Sequence, residues 1–135
     1  MQRLFLPLLI VVAAMFAYAP VMIANAPFES TMLLVQKIFY FHVPSWFVMF
    51  SGAFLCAGAS VVYIAKGSRE ADHYAVTGAE LAVVFGLMGL ITGPLWARKA
   101  WGVWWEWDVK LTLALVVWLT FVAYLLLRRF GGPGS

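Results

Sequence analysis

Charge is what this sequence has least of. Only 11% of its 135 residues are Asp, Glu, Lys or Arg, and 64% are hydrophobic, where a soluble domain carries about 25% charged residues. So little polar surface cannot cover a water-facing globule, and a soluble fold is excluded. Cysteine is nearly absent as well. Cys56 stands alone in an apolar run, which rules out an internal disulfide framework or a CxxC pair and leaves buried packing as its reading. Basic residues never gather into a stripe, so a net charge of +3 carries no phosphate-tracking surface, and nucleic acid is not expected as a partner. Nor do the apolar stretches alternate with polar residues, which argues against a membrane β-barrel.

What is present is hydrocarbon in lengths that cross a bilayer, about 20 residues each. Leu4–Ala24 and Ser45–Ala65 carry no charge, Tyr74–Ala97 carries only Glu80, and Leu111–Leu127 is uncharged again. The expected fold is an all-α integral membrane protein, one domain over residues 1–135. Its spans lie at about 4–24, 45–65, 74–97 and 109–129, with outer loops at 25–44 and 98–108 and an inner loop at 66–73. Arg3 followed by apolar residues and Ala17-Tyr18-Ala19 imitates a secretion signal, but the apolar stretch exceeds a signal core and reads as a retained first span. With four spans both termini share a side, which receives Arg3, Lys66, Arg69, Arg128 and Arg129; the other side receives Lys37, Arg98, Lys99 and Lys110. That balance favours cytoplasmic termini in a multi-pass membrane protein. Gly52, Cys56 and Ser60, like Gly78, Ala82 and Gly86, recur every four residues, the ridge that lets membrane helices approach closely.

The first outer loop contains "NAPFESTMLLVQKIFYFHVPSWF". A helix over Phe28–Phe41 would place Glu29, Gln36, Lys37 and Tyr40 on one narrow stripe, the pattern of a short amphipathic helix lying in the interface. Pro44 pushes Val43 towards extended geometry, which predicts a helix end at about His42. His42 would then sit at the membrane surface among aromatic rings, shielded and neutral, as metal ligation requires. A hydrogen bond to a freed carbonyl is the simpler role for such a histidine. His73, in the polar inner loop, reads as solvated, and the bilayer core of about 30 Å keeps it from sharing a metal with His42.

The second outer loop holds "WGVWWEWD", four tryptophans and two carboxylates in residues 101–108. An aromatic belt explains some of these rings but not their crowding into one connection. A platform for a broad flat apolar ligand, such as a porphyrin or a quinone, would use their large area and few rotatable bonds. A cation cage helped by Glu106 and Asp108, or a protein interface, would use the same rings. Arg98, Lys99 and Lys110 flank the segment and suit a ligand that carries carboxylates, which disfavours the cage. Asp108 directly precedes the last span and also suits its N-cap. Glu80, an ionisable group inside a span, is a functional candidate by default, although near a span end it can reach headgroups or pair with Lys66.

"WGVWWEWDVKLT" resembles the WWD motif of the cytochrome c biogenesis haem-handling membrane proteins, the CcmC/CcsA group, which runs roughly W-G-x-W-W-x-W-D-x-[RK]-x-T. Trp101, Gly102, Trp104, Trp105, Trp107, Asp108, Lys110 and Thr112 match it. "FYFHVPSWF" is similar to the histidine motif of the first outer loop in the CcmC haem exporter branch, and "LITGPLWARKAWG" to that family's approach to the motif. The resemblance runs from Ala19 to Leu127. It implies haem handling without catalysis. His42 would be an axial ligand to haem iron, and Trp101, Trp104, Trp105, Trp107 and Asp108 would contact a transiently held b-type haem on the periplasmic face. A periplasmic haem chaperone and the membrane subunit of an ABC transporter are the partners it implies, beside membrane lipid. It also implies a second axial histidine in a later outer loop, which residues 1–135 do not contain. The sequence therefore reads as a piece of such a protein or as a form shortened to four spans. In the latter case water, a methionine, a partner or a homodimer donating His42 twice would supply the ligand. Two other functions fit the residues alone: a small proton-coupled transporter using Glu80, and a non-catalytic assembly subunit that docks partners through the tryptophan loop.

Overall fold

A computed structural model describes residues 2–131. Four helices long and apolar enough to cross a membrane make up most of them, as expected of an all-α membrane protein: α1 (Gln2–Asn25), α2 (Phe39–Lys66), α3 (Arg69–Ala100) and α4 (Val109–Phe130). The chain forms one compact unit through Lys37 and a second from Ile38 onward.

In the first unit, α1 tolerates Pro7 and Pro20 within its length. After it, the expected amphipathic helix over residues 28–41 does not form. The Glu29 carboxylate instead accepts from the backbone N–H groups of Thr31 and Met32, Glu29 and Leu33 pair in an isolated bridge, and Leu33 takes a positive φ of 52°. A side chain competing for local backbone donors favours a turn over a helix, and a left-handed residue ends any helical run. Only the five residues Leu34–Ile38 are helical, as a 3₁₀ helix. Lys37 is consequently not on a polar stripe. It is buried, stands over the Phe28 ring at 4.4 Å and donates Nζ to Ala24 O at 2.7 Å, capping the last turn of α1 as a cation at a helix C-terminus should.

In the second unit α2 starts at Phe39, so the helix does not end at His42 but carries it in its second turn. Pro44 lies within α2. Near a helix start its missing N–H forfeits a single bond, a loss that membrane helices accommodate. The following Ser45, buried, turns its hydroxyl onto Phe41 O at 2.6 Å. At the other end, the expected loop over 66–73 shrinks to Gly67 and Ser68, because the charged residues past the hydrocarbon continue the helices. Gly67 takes φ 64° and donates to Tyr63 O, and Ser68 caps α3 by accepting from Ala71 N–H.

The two small-residue ridges face each other. A Cβ built on Gly52 would stand 2.6 Å from Gly78 O, and one on Gly78 would stand 2.6 Å from Gly52 O and Cys56 N. The backbones of α2 and α3 therefore touch there with nothing between them, and Ala75, Ala79 and Ala82 extend the seam. α4 packs on α3 through Trp118, which lies over Gly86 and donates Nε1 to Val83 O at 2.8 Å. Near the α2–α3 turn, Arg128 of α4 pairs with Asp72 of α3 at 2.6 Å. Glu80 is exposed on α3, and Lys66 does not pair with it.

Candidate functional site

At the end of the second unit away from the Gly67 turn, α2, α3, α4 and the tryptophan loop enclose a cavity of about 640 Å³, within the 300–1,000 Å³ range of ligand sites. α2 contributes Phe39, His42, Trp46 and Met49; α3 contributes Gly89, Gly93, Pro94 and Trp96. Trp101, Trp104 and Trp105 close it from the loop, and α4 adds Lys110, Leu111 and Ala114. The lining is almost wholly apolar, with one imidazole and one ammonium among the rings.

His42 is held from two sides. Thr92 donates its hydroxyl to Met88 O at 2.7 Å, a back-bond within α3. With its one proton committed there, Thr92 Oγ1 offers lone pairs to His42 Nδ1, 2.8 Å away, so Nδ1 carries the hydrogen. Trp46 independently donates Nε1–H to His42 Nε2 at 3.2 Å, which requires a lone pair on Nε2. Both bonds specify the same neutral tautomer, with the hydrogen on Nδ1 and the lone pair on Nε2. Two glycines make room for these rings. A Cβ on Gly93 would meet His42 Cε1 at 3.2 Å, and one on Gly89 would meet Trp46 Cε2 at 2.6 Å.

The rings around the cavity meet edge to face. Trp101 meets Trp96 at 5.5 Å between centroids, Trp96 meets Phe39 at 5.1 Å, and His42 lies 6.0 Å from Phe39 and 6.1 Å from Trp46. Such T-shaped contacts are the favoured aromatic geometry, and they build a walled cup rather than one flat platform. The loop is tied at both ends. Arg98 donates to Gly102 O beside the last turn of α3, and Gly102 supplies a φ of 77°. Asp108 caps α4 by accepting from Leu111 N–H at 2.6 Å.

Of the residues singled out from sequence, His42, Trp101, Trp104 and Trp105 converge on the cavity. Asp108 does not line it and serves as a helix cap. Trp107 points elsewhere, 75% exposed, and packs its ring edge-on to Trp105 at 5.6 Å. Trp105 Nε1 is buried without a hydrogen-bond partner among the described residues. Glu80 lies about 13 Å along α3 from Gly89 and lines neither this cavity nor the groove beside Ser68 and Tyr74. Thr92, Gly89 and Gly93 were missed. The Gly93-Pro94 step inside a span was the available signal, because a glycine there marks a close approach by another group.

The profile of the family described as Cytochrome C assembly protein matches residues 1–131. Heme exporter protein C of Rhodobacter capsulatus is 32% identical over 91 residues, which cover 67% of this chain and 38% of that protein. Heme exporter protein C of Bradyrhizobium diazoefficiens is 34% identical over 107 residues, covering 78% and 40%. Cytochrome c biogenesis protein CcsA of Prochlorococcus marinus subsp. pastoris is 44% identical over 61 residues, covering 45% and 19%. The matched stretch thus spans about two fifths of the exporter relatives and about a fifth of the CcsA relative. No solved structure matches the chain. The loop tryptophans and His42 lie within a chain that belongs to the cytochrome c assembly protein family.

Proposed function

We propose that the cavity holds haem and presents it on the periplasmic face of the bacterial inner membrane for delivery during cytochrome c maturation. The observation that supports this reading is the convergence of one coordination-ready imidazole with three loop indoles and a lysine on a single apolar cavity. Haem held there supplies iron for His42 Nε2 to ligate and a flat hydrophobic face for the rings. The donor set fits such a cargo. His42 carries a lone pair, Trp101, Trp104 and Trp105 give the cavity apolar ring surface, Lys110 offers charge to a carboxylate, and Trp105 Nε1–H awaits an acceptor. Trp107 and Asp108 act from outside the cavity, one buttressing Trp105 and the other fixing the loop to α4. The residues bind and orient a transient b-type cargo; none is assigned bond-making chemistry. A second ligand to the iron would come from water, a methionine, further chain, a second copy or a partner.

Detergent-purified protein titrated with haemin should develop a Soret band that His42→Ala abolishes or shifts. An affinity and spectrum unchanged in that variant would sink the assignment of His42. The exposure of Trp107, and of Trp104 at 56%, favours a second task for the loop, docking the partners of the maturation system. A periplasmic haem chaperone and the ABC transporter's membrane subunit are the candidates. Trp107→Ala should lose chaperone capture while keeping haemin; loss of neither would remove this role.

A further inference from the structure

A ligand approaching His42 meets an occupied nitrogen. The lone pair of Nε2, the atom that must face a metal, already accepts from Trp46 Nε1 at 3.2 Å. Trp46 is one helical turn beyond His42 on α2, so its indole reaches back along the same face. It lies against Gly89, where the lack of a side chain leaves the ring a seat on α3. On the far edge of the imidazole, Thr92 holds Nδ1 at 2.8 Å, and Met88 O holds Thr92. The four groups form one directional relay: Trp46 donates to His42, His42 to Thr92, and Thr92 to a backbone carbonyl.

We propose that Thr92 and Trp46 are the positioning residues of this site, Thr92 presetting His42 as the Nδ1–H tautomer and Trp46 acting as a displaceable cap on Nε2. The proposal rests on the reading of His42 as an axial ligand, but the relay itself exists in the ligand-free protein and is measurable there. The relay has two consequences. First, the imidazole is already in the Nδ1–H form, with its remaining lone pair on Nε2, so ligation does not require a tautomer change. Partners that donate or accept at the remote nitrogen typically shift metal affinity by about 10- to 100-fold. Second, ligation must break the Trp46 bond, which weakens retention. For a protein that passes its cargo on, a cap that returns to Nε2 as the cargo leaves favours release.

Nitrogen-15 spectra of ligand-free protein labelled at histidine, with His73→Gln to isolate His42, should show the Nδ1–H tautomer. Thr92→Val should shift His42 towards mixed tautomers and weaken haemin binding about 10-fold, and Thr92→Ser should restore both. Trp46→Phe keeps a ring over Gly89 but removes the donor. It should leave Nδ1 protonated and tighten haemin binding about five-fold, the size of one released neutral hydrogen bond. An Nε2–H tautomer in the wild type, or one that Thr92→Val does not move, overturns the role of Thr92. A His42-dependent affinity that Trp46→Phe fails to tighten overturns the cap alone. Haemin binding that His42→Ala leaves intact overturns the ligand reading and the cap with it, while the tautomer measurement still tests the relay.

Discussion

The two ends of the second unit are built with the same residue to opposite effect. Towards the α2–α3 turn, Gly52 and Gly78 bring two backbones into direct contact, and a two-residue link joins the helices. Towards the tryptophan loop, Gly89 and Gly93 receive the rings of Trp46 and His42, and the cavity opens beside them. A glycine opposite a glycine closes a seam, whereas a glycine opposite an aromatic ring seats that ring without closing the space around it. One end is thereby a clamp, with its partners rigid backbone. The other is a cup, with its partners side chains that can turn.

The comparison is broken most directly by adding one methyl group at each position. Gly78→Ala would press Cβ to 2.6 Å from Gly52 O and Cys56 N, neither of which can yield without moving a helix. We expect a loss of about 3 kcal/mol in detergent unfolding. Gly89→Ala meets Trp46 at the same 2.6 Å, but an indole can pivot, so the loss should be about 1.5 kcal/mol, accompanied by a broken Trp46–His42 bond. Gly58 has open space around it, and Gly58→Ala should be neutral or stabilising by up to about 1 kcal/mol. Equal losses at residues 78 and 89 would abolish the distinction between clamp and cup.

Much of this arrangement was legible beforehand. The four spans followed from runs of uncharged residues, and the α2–α3 seam from small residues four apart, because both signals are periodic and local. The tryptophan loop is legible because an aromatic belt does not explain so many rings in one connection. His42 lies inside α2 and not at a helix end, because Pro44, which reads as a stop, falls early enough in the helix to be carried. The amphipathic helix over 28–41 failed for a related reason. Its periodicity was sound, but the Glu29 carboxylate takes the Thr31 and Met32 amides for itself. Thr92 could not be found from periodicity. Its partner is 50 residues away, and only the register of α2 against α3, set by glycines at the far end, brings the two together.

The cup should depend on the cap of α4 as the clamp does not. Asp108→Ala leaves Leu111 N–H without its acceptor and should cost about 1 kcal/mol, with haemin affinity falling as the loop loosens. Asp108→Asn can still cap and should retain both stability and affinity. Full stability with lost affinity in the Asn variant would show that the carboxylate meets the ligand directly. That result would move Asp108 from the frame of the cup into its lining.

The smallest effect belongs to the one ion pair found among the described residues, at the clamp end. Arg128 and Asp72 meet at 2.6 Å with side chains 28% and 23% exposed, so water and salt screen the pair, and its contribution should be about 0.5 kcal/mol. Asp72→Asn preserves the shape and removes the charge. The resulting loss should disappear in about 0.5 M salt, where screening acts over only a few ångströms, whereas the loss from Gly78→Ala should not respond to salt. If Asp72→Asn instead costs several kcal/mol at any ionic strength, the clamp is held by a desolvated charge pair rather than by backbone contact. Gly78→Ala would then be expected to do correspondingly less, and the two variants measured side by side decide which device closes that end.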